Sequence, residues 1–189
     1  MKIFISGGCK NGKSYYAQRL AKAQQTDSLY LYYVATMKSI DSEDDERIIK
    51  HRKERDGWGF TTIEQSVDIK NILHKCDRDG SFLLDSLTAL LANEMFPPPD
   101  WTLNEQAAEK IISGLIQVTD NINNIVIVSD YIYSDAFIYD EMTEKYRKSL
   151  AEIDYSAAKS CDVVLEAAYT NVIVHKGREV FGEIYAKIF

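Results

Sequence analysis

A short glycine-rich segment near the start of the chain most strongly constrains what this sequence can fold into. It follows an apolar run at residues 2–6 and precedes a segment predicted to be helical from about residue 15. The segment fills the pattern G-x-x-x-x-G-K-[ST], in which glycines let successive backbone N–H groups point at phosphate oxygens. Its residues are Gly7, Gly8, Cys9, Lys10, Asn11, Gly12, Lys13 and Ser14. A glycine turn that matches by chance is the alternative, but the position between a predicted strand and a predicted helix favours a nucleotide-binding loop.

Two side chains of this loop have predicted roles toward a nucleotide. Lys13 is expected to reach the β- and γ-phosphates, and the Ser14 hydroxyl is expected to bind Mg²⁺. The helix that follows adds its own N–H groups and the positive end of its dipole. Because the chain carries a net charge of −7, this anion site must be locally positive within an acidic surface. The same net charge argues against nucleic acid or an anionic membrane as a partner.

The length and the cysteines suit a single α/β domain over residues 1–189. A chain of 189 residues can bury a core without support from disulfides or metals. Cys9, Cys76 and Cys161 are far apart and form no C-x-x-C pair, which predicts reduced thiols in a cytoplasmic protein. No apolar run approaches about 18 residues, so no membrane span is expected. The N-terminal residues are predicted to form a core strand rather than a targeting signal.

Apolar runs with strand character alternate along the chain with segments of helical periodicity. Strands are predicted at 2–6, 29–34, 60–64, 80–85, 125–130, 162–167 and 171–175, and helices at 15–21, 42–55, 69–76, 102–119 and 139–160. Opened by a P-loop, this alternation predicts a mostly parallel sheet with helices on both faces. An apolar stripe of the last helix is expected to pack in the core, and its members are Met142, Tyr146, Leu150, Ile153 and Ala157. The tail after Gly177 has no assignment.

Two predicted strands end in residues that are candidates for the nucleotide site. Ligands of open α/β sheets bind at the carboxyl ends of the strands, where Val34, Ala35 and Thr36 would lie. A second core strand without any contact to a ligand fits the same pattern equally well. Asp85 ends another strand, where a P-loop protein holds Mg²⁺ or its water. The alternative there is a helix cap by Asp85 or Ser86.

The predicted helix at 42–55 is polar on most faces, which is unusual for a helix that only covers a sheet. Arg47, His51 and Arg55 are spaced four residues apart and therefore share one face. Flanking cations disfavour the charged imidazole and keep a ring nitrogen available as a nucleophile near neutral pH. The same cations can hold a triphosphate. A solvated helix with an incidental histidine is the alternative, and the residues alone favour it.

Several segments in this order resemble the bifunctional adenosylcobinamide kinase / adenosylcobinamide-phosphate guanylyltransferase family of cobalamin biosynthesis. They are Gly7-Gly8-x-x-x-Gly12-Lys13-Ser14, Val34-Ala35-Thr36, Arg47-Ile48-x-x-His51-Arg52-x-x-Arg55, Gly59-Phe60-x-Thr62-Ile63-Glu64 and Leu83-Leu84-Asp85-Ser86-Leu87-Thr88. Later blocks at 129–135, 146–154 and 172–177 are also similar, so the resemblance covers about residues 1–177. The histidine helix at this spacing is its specific part.

The resemblance implies a function and favours a catalytic His51. In the family, this histidine attacks the α-phosphate of GTP and carries GMP to adenosylcobinamide phosphate, while the kinase activity phosphorylates adenosylcobinamide with ATP or GTP. The residues that match the family's nucleotide-binding positions beyond the P-loop and 34–36 are Arg52, Lys53, Glu54, Arg55, Glu64 and Asp85. Glu64 suits the two donors of a guanine edge. A RecA-like fold, Mg²⁺ and a homotrimer are also implied.

Three positions depart from the family pattern. Asp130 stands where asparagine is common, Ala136 where glycine is common, and Lys10 where arginine is usual. An aspartate adds negative charge near the phosphates, and an alanine restricts a loop. These two changes are expected to weaken the kinase activity or the corrinoid contact and to leave GTP binding and guanylylation intact.

Overall fold

Seven strands form one sheet within the part of the chain that the structure describes. The structure is a computed structural model that describes residues 1–26, 30–40, 42–186 and 188, without the side chains of Arg47 and Glu54. The strands are β1 (Lys2–Gly7), β2 (Leu31–Ala35), β3 (Phe60–Glu64), β4 (Ser81–Asp85), β5 (Asn124–Val128), β6 (Val163–Ala168) and β7 (Asn171–Lys176). Their order is β3-β2-β4-β5-β1-β6-β7, and β7 alone runs antiparallel to its neighbour.

Helices connect the parallel strands of the sheet. The described helices are α1 (Lys13–Ala23), α2 (Ser42–Glu54), a 3₁₀ helix (Ile69–His74), α3 (Leu87–Met95), α4 (Ala107–Asn121), α5 (Glu141–Ser160) and α6 (Arg178–Tyr185). Parallel neighbours need such crossovers because a tight turn can join only antiparallel strands. The carboxyl ends of β1, β2, β4 and β5 therefore meet at one edge of the sheet.

The sheet has an apolar cluster on each face because strand side chains alternate between the two sides. Along β1, Phe4 packs with α3, α4 and α5, whereas Ile3 and Ile5 pack with α1 and α6 on the opposite face. The central strands are buried on both sides, which explains their continuous apolar sequences. The predicted mostly parallel sheet with helices on both faces is confirmed.

Several predicted element boundaries differ from the structure. The residues 102–105 do not begin a helix, because α4 starts at Ala107 and the Asn104 side chain instead accepts a hydrogen bond from Gln106 N at 3.1 Å. The stripe of α5 is buried at Leu150, Ile153 and Ala157, whereas Tyr146 is half-buried and Met142, at the start of the helix, is 44% exposed. The unassigned tail forms α6. Leu29, the predicted start of a strand, lies outside the described residues, and β2 begins at Leu31.

Candidate functional site

The glycine-rich loop joins β1 to α1, as the motif predicts. Gly12 has φ +86° directly before the first residue of α1, a conformation that glycine adopts without steric cost. Gly7 lies against the neighbouring strand, where an added Cβ would be 2.3 Å from the Ala167 carbonyl oxygen. Both positions therefore require glycine. The side chains of the other loop residues range from the buried Lys13 through the half-buried Asn11 and Ser14 to the exposed Cys9 and Lys10.

The Lys13 ammonium lies in a cage of three oxygen atoms. It donates to the carbonyl oxygens of Gly7 at 2.8 Å and Gly8 at 2.7 Å, and it forms an ion pair with Asp130 Oδ1 at 2.8 Å. Only 7% of its side chain is exposed. Asp130 follows β5, the strand that pairs with β1. The loop and the end of β5 are further joined by a bond from Tyr131 N to Gly7 O at 3.0 Å.

The residues that end β2 organise the edge of the sheet through their backbone. Val34 and Thr36 are fully buried, and Ala35 is half-buried. The Thr36 hydroxyl donates to Ser86 O at 2.8 Å and accepts from Ser86 N at 2.7 Å, so it holds the connection between β4 and α3. This placement agrees with the core interpretation for the side chains of Val34 and Thr36.

Asp85 ends β4 next to this connection. One of its oxygen atoms accepts a hydrogen bond from the Tyr33 hydroxyl at 2.8 Å. Burial raises the pKa of the Asp85 carboxyl, and the nearby Asp130 charge acts in the same direction, while the Tyr33 bond opposes it. The peptide bond between Asp85 and Ser86 is cis. Ser86, and not Asp85, caps α3, because its hydroxyl accepts from Ala89 N at 3.4 Å.

The histidine helix α2 reaches the same edge of the sheet. The Arg55 guanidinium stacks on Tyr33, the residue that donates to Asp85, and its positive charge lowers the pKa of that carboxyl, as would a positive charge on His51. Arg55 is only 7% exposed, and its Cζ lies 3.4 Å from the centre of the Tyr33 ring. A half-buried His51 and a buried Arg55 do not fit a fully solvated helix.

Of the remaining predicted residues of α2 and β3, Arg52 lines an open groove. Arg52 pairs with Glu64 at 3.0 Å, and both side chains are mostly exposed. A groove of about 490 Å³ is lined by Arg52, Arg55, Asp56, Gly57, Gly59, Phe60 and Thr62. Lys53 is exposed. The predictions for the side chains of Arg47 and Glu54 lie outside the described residues.

These contacts connect the P-loop to the histidine helix. Lys13 pairs with Asp130, the charge of Asp130 acts on Asp85, and the charge of His51 acts on Asp85 as well. Sequence patterns had suggested the loop, the strand-end aspartates and the histidine helix separately. The structure brings them to one edge, where cations of the loop and of α2 face two carboxylates.

Sequence reasoning missed the partner residues of this edge. Tyr33 lies in an apolar, tyrosine-rich strand and was expected only to fill the core, and no local signal marks its bond to Asp85. Asp154 of α5 is another example, because its carboxylate accepts from the Tyr133 hydroxyl at 3.0 Å. Burial raises the pKa of Asp154 to about 7. The available signal in the sequence was an aspartate on the apolar face of the predicted helix, four residues after Leu150.

The described residues contain neither a candidate metal cluster nor a candidate membrane span. Over 1–26, 30–40, 42–186 and 188, no three or more His, Cys, Asp or Glu side chains gather in an arrangement that could hold a metal ion. In the same ranges, no helix combines the length and the apolar character that crossing a membrane requires.

The fold and the loop define a class. A parallel sheet with a G-x-x-x-x-G-K-S loop between β1 and α1 is a P-loop NTPase fold, here of the RecA-like type. The KaiC-like protein PH0186 from Pyrococcus horikoshii OT3 superposes with a TM-score of 0.50 and 14% identity, over 94% of this chain and 79% of that one. The model of the cobinamide kinase / cobinamide phosphate guanyltransferase family matches residues 3–171, and the chain belongs to this family. The resemblance seen in the sequence is thereby confirmed.

Two curated relatives carry related names. The chain is 30% identical over 125 residues to the bifunctional adenosylcobalamin biosynthesis protein CobU of Escherichia coli (strain K12). The aligned region covers 62% of this chain and 65% of that protein. It is 25% identical over 164 residues to the bifunctional adenosylcobalamin biosynthesis protein CobP of Pseudomonas aeruginosa, which covers 87% of this chain and 91% of that protein. The match to the first relative therefore spans just under two thirds of its length.

Proposed function

We propose that this protein is a bifunctional adenosylcobinamide kinase and adenosylcobinamide-phosphate guanylyltransferase of the cytoplasm. Membership of the family supports the substrate class, and the P-loop supports a nucleoside triphosphate as the donor. The observation that carries the proposal is the meeting of two groups at one sheet edge. Lys13 pairs there with Asp130, while Arg55 stacks on Tyr33, the residue that donates to Asp85, and His51 lies one helical turn before Arg55.

The loop 7–14 binds the triphosphate of GTP or ATP in this proposal. Its backbone N–H groups and the N-terminus of α1 face the phosphate oxygens, and Lys13 supplies a positive charge. The hydroxyl of Ser14 and the carboxylate of Asp85 would hold Mg²⁺, since both offer the hard oxygen donors that this ion prefers. Burial raises the pKa of Asp85, so a nearby cation would favour its ionised form. The ion would neutralise charge on the phosphates.

His51 carries the guanylyl group. A neutral ring nitrogen attacks the α-phosphorus of GTP, a nitrogen–phosphorus bond forms, and the bond to the β-phosphate oxygen breaks with release of pyrophosphate. The ring loses its single N–H proton to solvent, which leaves a phosphoramidate with a neutral ring, and it takes a proton back from solvent when the nitrogen–phosphorus bond breaks in the second step. A phosphate oxygen of adenosylcobinamide phosphate then attacks the same phosphorus, the nitrogen–phosphorus bond breaks, and adenosylcobinamide-GDP leaves. Division into two displacements replaces one difficult step by two easier ones.

Cationic side chains of α2 and of Arg55, the residue that follows it, would hold the nucleotide against His51. Arg55 is fixed by stacking on Tyr33, so its guanidinium needs little ordering when a phosphate arrives. Arg52 lines the open groove and pairs with Glu64, whose carboxylate could accept from both donors of a guanine edge. Lys53 and Glu54 complete the proposed nucleotide contacts, and a homotrimer, implied by the resemblance, is the proposed assembly.

Covalent labelling tests the mechanism. Incubation with α-³²P-GTP and Mg²⁺ is expected to give an acid-labile label on the protein, and adenosylcobinamide phosphate is expected to discharge it. His51→Ala should abolish the label. His175→Ala is the matched control, because that exposed histidine pairs with Glu166 at the β6–β7 edge and should leave labelling unchanged.

Two results would contradict the proposal in different ways. Absence of label in the wild-type protein, or its persistence in His51→Ala, would refute the guanylyl mechanism. Transfer of the γ-phosphate to adenosylcobinamide at the same rate in His51→Ala, with no label in any variant, would leave a P-loop kinase. Nucleotide binding without either transfer would indicate a regulatory protein.

A further inference from the structure

The P-loop lysine, Lys13, already forms an ion pair with a side chain of the same protein. Lys13 Nζ lies 2.8 Å from Asp130 Oδ1 and within 2.8 Å of two loop carbonyl oxygens. An ammonium group has three N–H donors. The three oxygens therefore occupy the whole donor capacity of the lysine, and a phosphate oxygen that takes a bond from Lys13 must replace one of them.

Asp130 is the partner that a phosphate would replace. The two carbonyl oxygens belong to Gly7 and Gly8 and are part of the loop backbone, which also cradles the phosphates. The carboxylate is a side chain, and 34% of it is exposed, so it can rotate away at smaller cost. As the acidic member of the ion pair with Lys13, it also repels a phosphate in the same place more strongly than a neutral carbonyl does.

The backbone of Asp130 cannot move away with its side chain. Its N–H donates to the Thr88 hydroxyl at 3.0 Å, and the next residue, Tyr131, donates to Gly7 O at 3.0 Å. Asp130 therefore stays beside the loop even when the ion pair opens. Asp85 adds a second carboxylate, since the charge of Asp130 raises its pKa.

We propose that Asp130 competes with nucleotide phosphates for Lys13 and so sets the affinity of the P-loop for a nucleoside triphosphate. The inference rests on the proposed nucleotide-binding function, and it replaces the expectation from the sequence that Asp130 leaves GTP binding intact. Asp130 is a residue that determines affinity and takes no part in the chemistry. Its effect should depend on the phosphates and not on the nucleoside.

The experiment is calorimetric titration with the α,β-methylene analogue of GTP, which cannot transfer GMP. Asp130→Asn keeps the shape of the side chain and is expected to lower the Kd of the analogue about two- to fivefold, the upper range of an exposed ion pair. Asp130→Glu keeps the charge and should stay close to the wild type. Asp120→Asn, on the exposed side of α4, removes the same charge far from the loop and is the matched control.

Two further readouts separate competition from a change of structure. Guanosine, which lacks phosphates, should bind the wild type and Asp130→Asn equally. The ratio of the two Kd values should fall as NaCl rises from about 0.05 to about 0.5 M, because salt weakens the ion pair that the variant lacks. Thermal unfolding verifies the fold, and Asp130→Ala gives a second variant with the same expected direction.

The outcomes distinguish this inference from the proposed function. Equal or weaker binding of the analogue to both neutral variants, with the wild type still binding, would overturn the competition and leave the function intact. An equal gain for guanosine would also overturn it. If the analogue binds neither the wild type nor any variant, the nucleotide function fails and the inference fails with it.

Discussion

Between about pH 6 and about pH 8, ionisation of Asp154 is expected to lower the stability of the protein by about 1.4 kcal/mol. Replacing Asp154 by asparagine should remove this pH-dependent loss. Asp154 lies in α5 and is only 3% exposed. Burial raises the pKa of its carboxyl from 3.8 to about 7, with a further increase from the charge of Asp130, while the hydrogen bond from Tyr133 acts in the opposite direction. The side chain is thus a carboxylic acid whose proton is retained in the fold and lost in the unfolded chain near neutral pH.

The sign and the magnitude follow from linkage. A group with a raised folded pKa contributes stability that is complete below its unfolded pKa and is lost as the pH rises through its folded pKa. For Asp154 the loss begins above about pH 4 and ends above about pH 7. Its total is about 4 kcal/mol at about 1.4 kcal/mol per pH unit, and the part that falls between about pH 6 and about pH 8 is about 1.4 kcal/mol.

Urea unfolding at several pH values measures this effect. The free energy of unfolding of the wild type minus that of Asp154→Asn should fall by about 1.4 kcal/mol between about pH 6 and about pH 8. The packing of the new amide enters equally at each pH and cancels in this slope. Asp120→Asn, an exposed control, should show a difference that does not change with pH. A slope for Asp154→Asn equal to that of the wild type would refute the assignment of a buried, protonated carboxyl.

Two further substitutions test packing at the site edge. Gly7→Ala would place a methyl group 2.3 Å from the Ala167 carbonyl oxygen and should destabilise the protein by about 3 kcal/mol or more. Gly182→Ala is the control, because its Cβ would meet open space in α6, and it should stabilise the protein by about 0.5–1 kcal/mol. Equal urea midpoints for the two variants would contradict the close approach of β1 and β6. Tyr33→Phe removes a donor to the Asp85 carboxylate and should cost about 1–3 kcal/mol at neutral pH. Because this bond stabilises the ionised carboxyl, the cost should shrink as the pH falls, and a cost that is the same at acidic and neutral pH would argue against the bond.

How well the sequence predicts a structural feature depends on how far apart the interacting residues lie in the chain. The strand at 60–64 and the start of α2 at Ser42 appear where the sequence predicts them, because residue alternation and helix capping are local signals. The start of α4 was predicted several residues early. Asn104 resembles a helix cap in the sequence, but its side chain amide donates to Glu94 O at 3.1 Å and ties the segment to the end of α3.

The C-terminal tail is a second segment whose structure depends on tertiary packing. The sequence analysis assigns no element after Gly177, yet α6 forms there and buries Phe181 and Ile184 against the face of the sheet that α1 also covers. A short helix gains most of its stability from such packing and little from its own propensity. Only the position of the sheet face explains why this segment is helical.

The sequence alone determined the phosphate-binding loop, the alternation of strands and helices, and the family, because each depends on residue types at short spacings. Tertiary structure decided which charges meet. Lys13 finds Asp130 because β5 lies beside β1, and Arg55 stacks on Tyr33 because α2 returns to the end of β2. Contacts between residues so distant in the chain depend on strand order and on the path of the crossovers, and no local pattern contains that information.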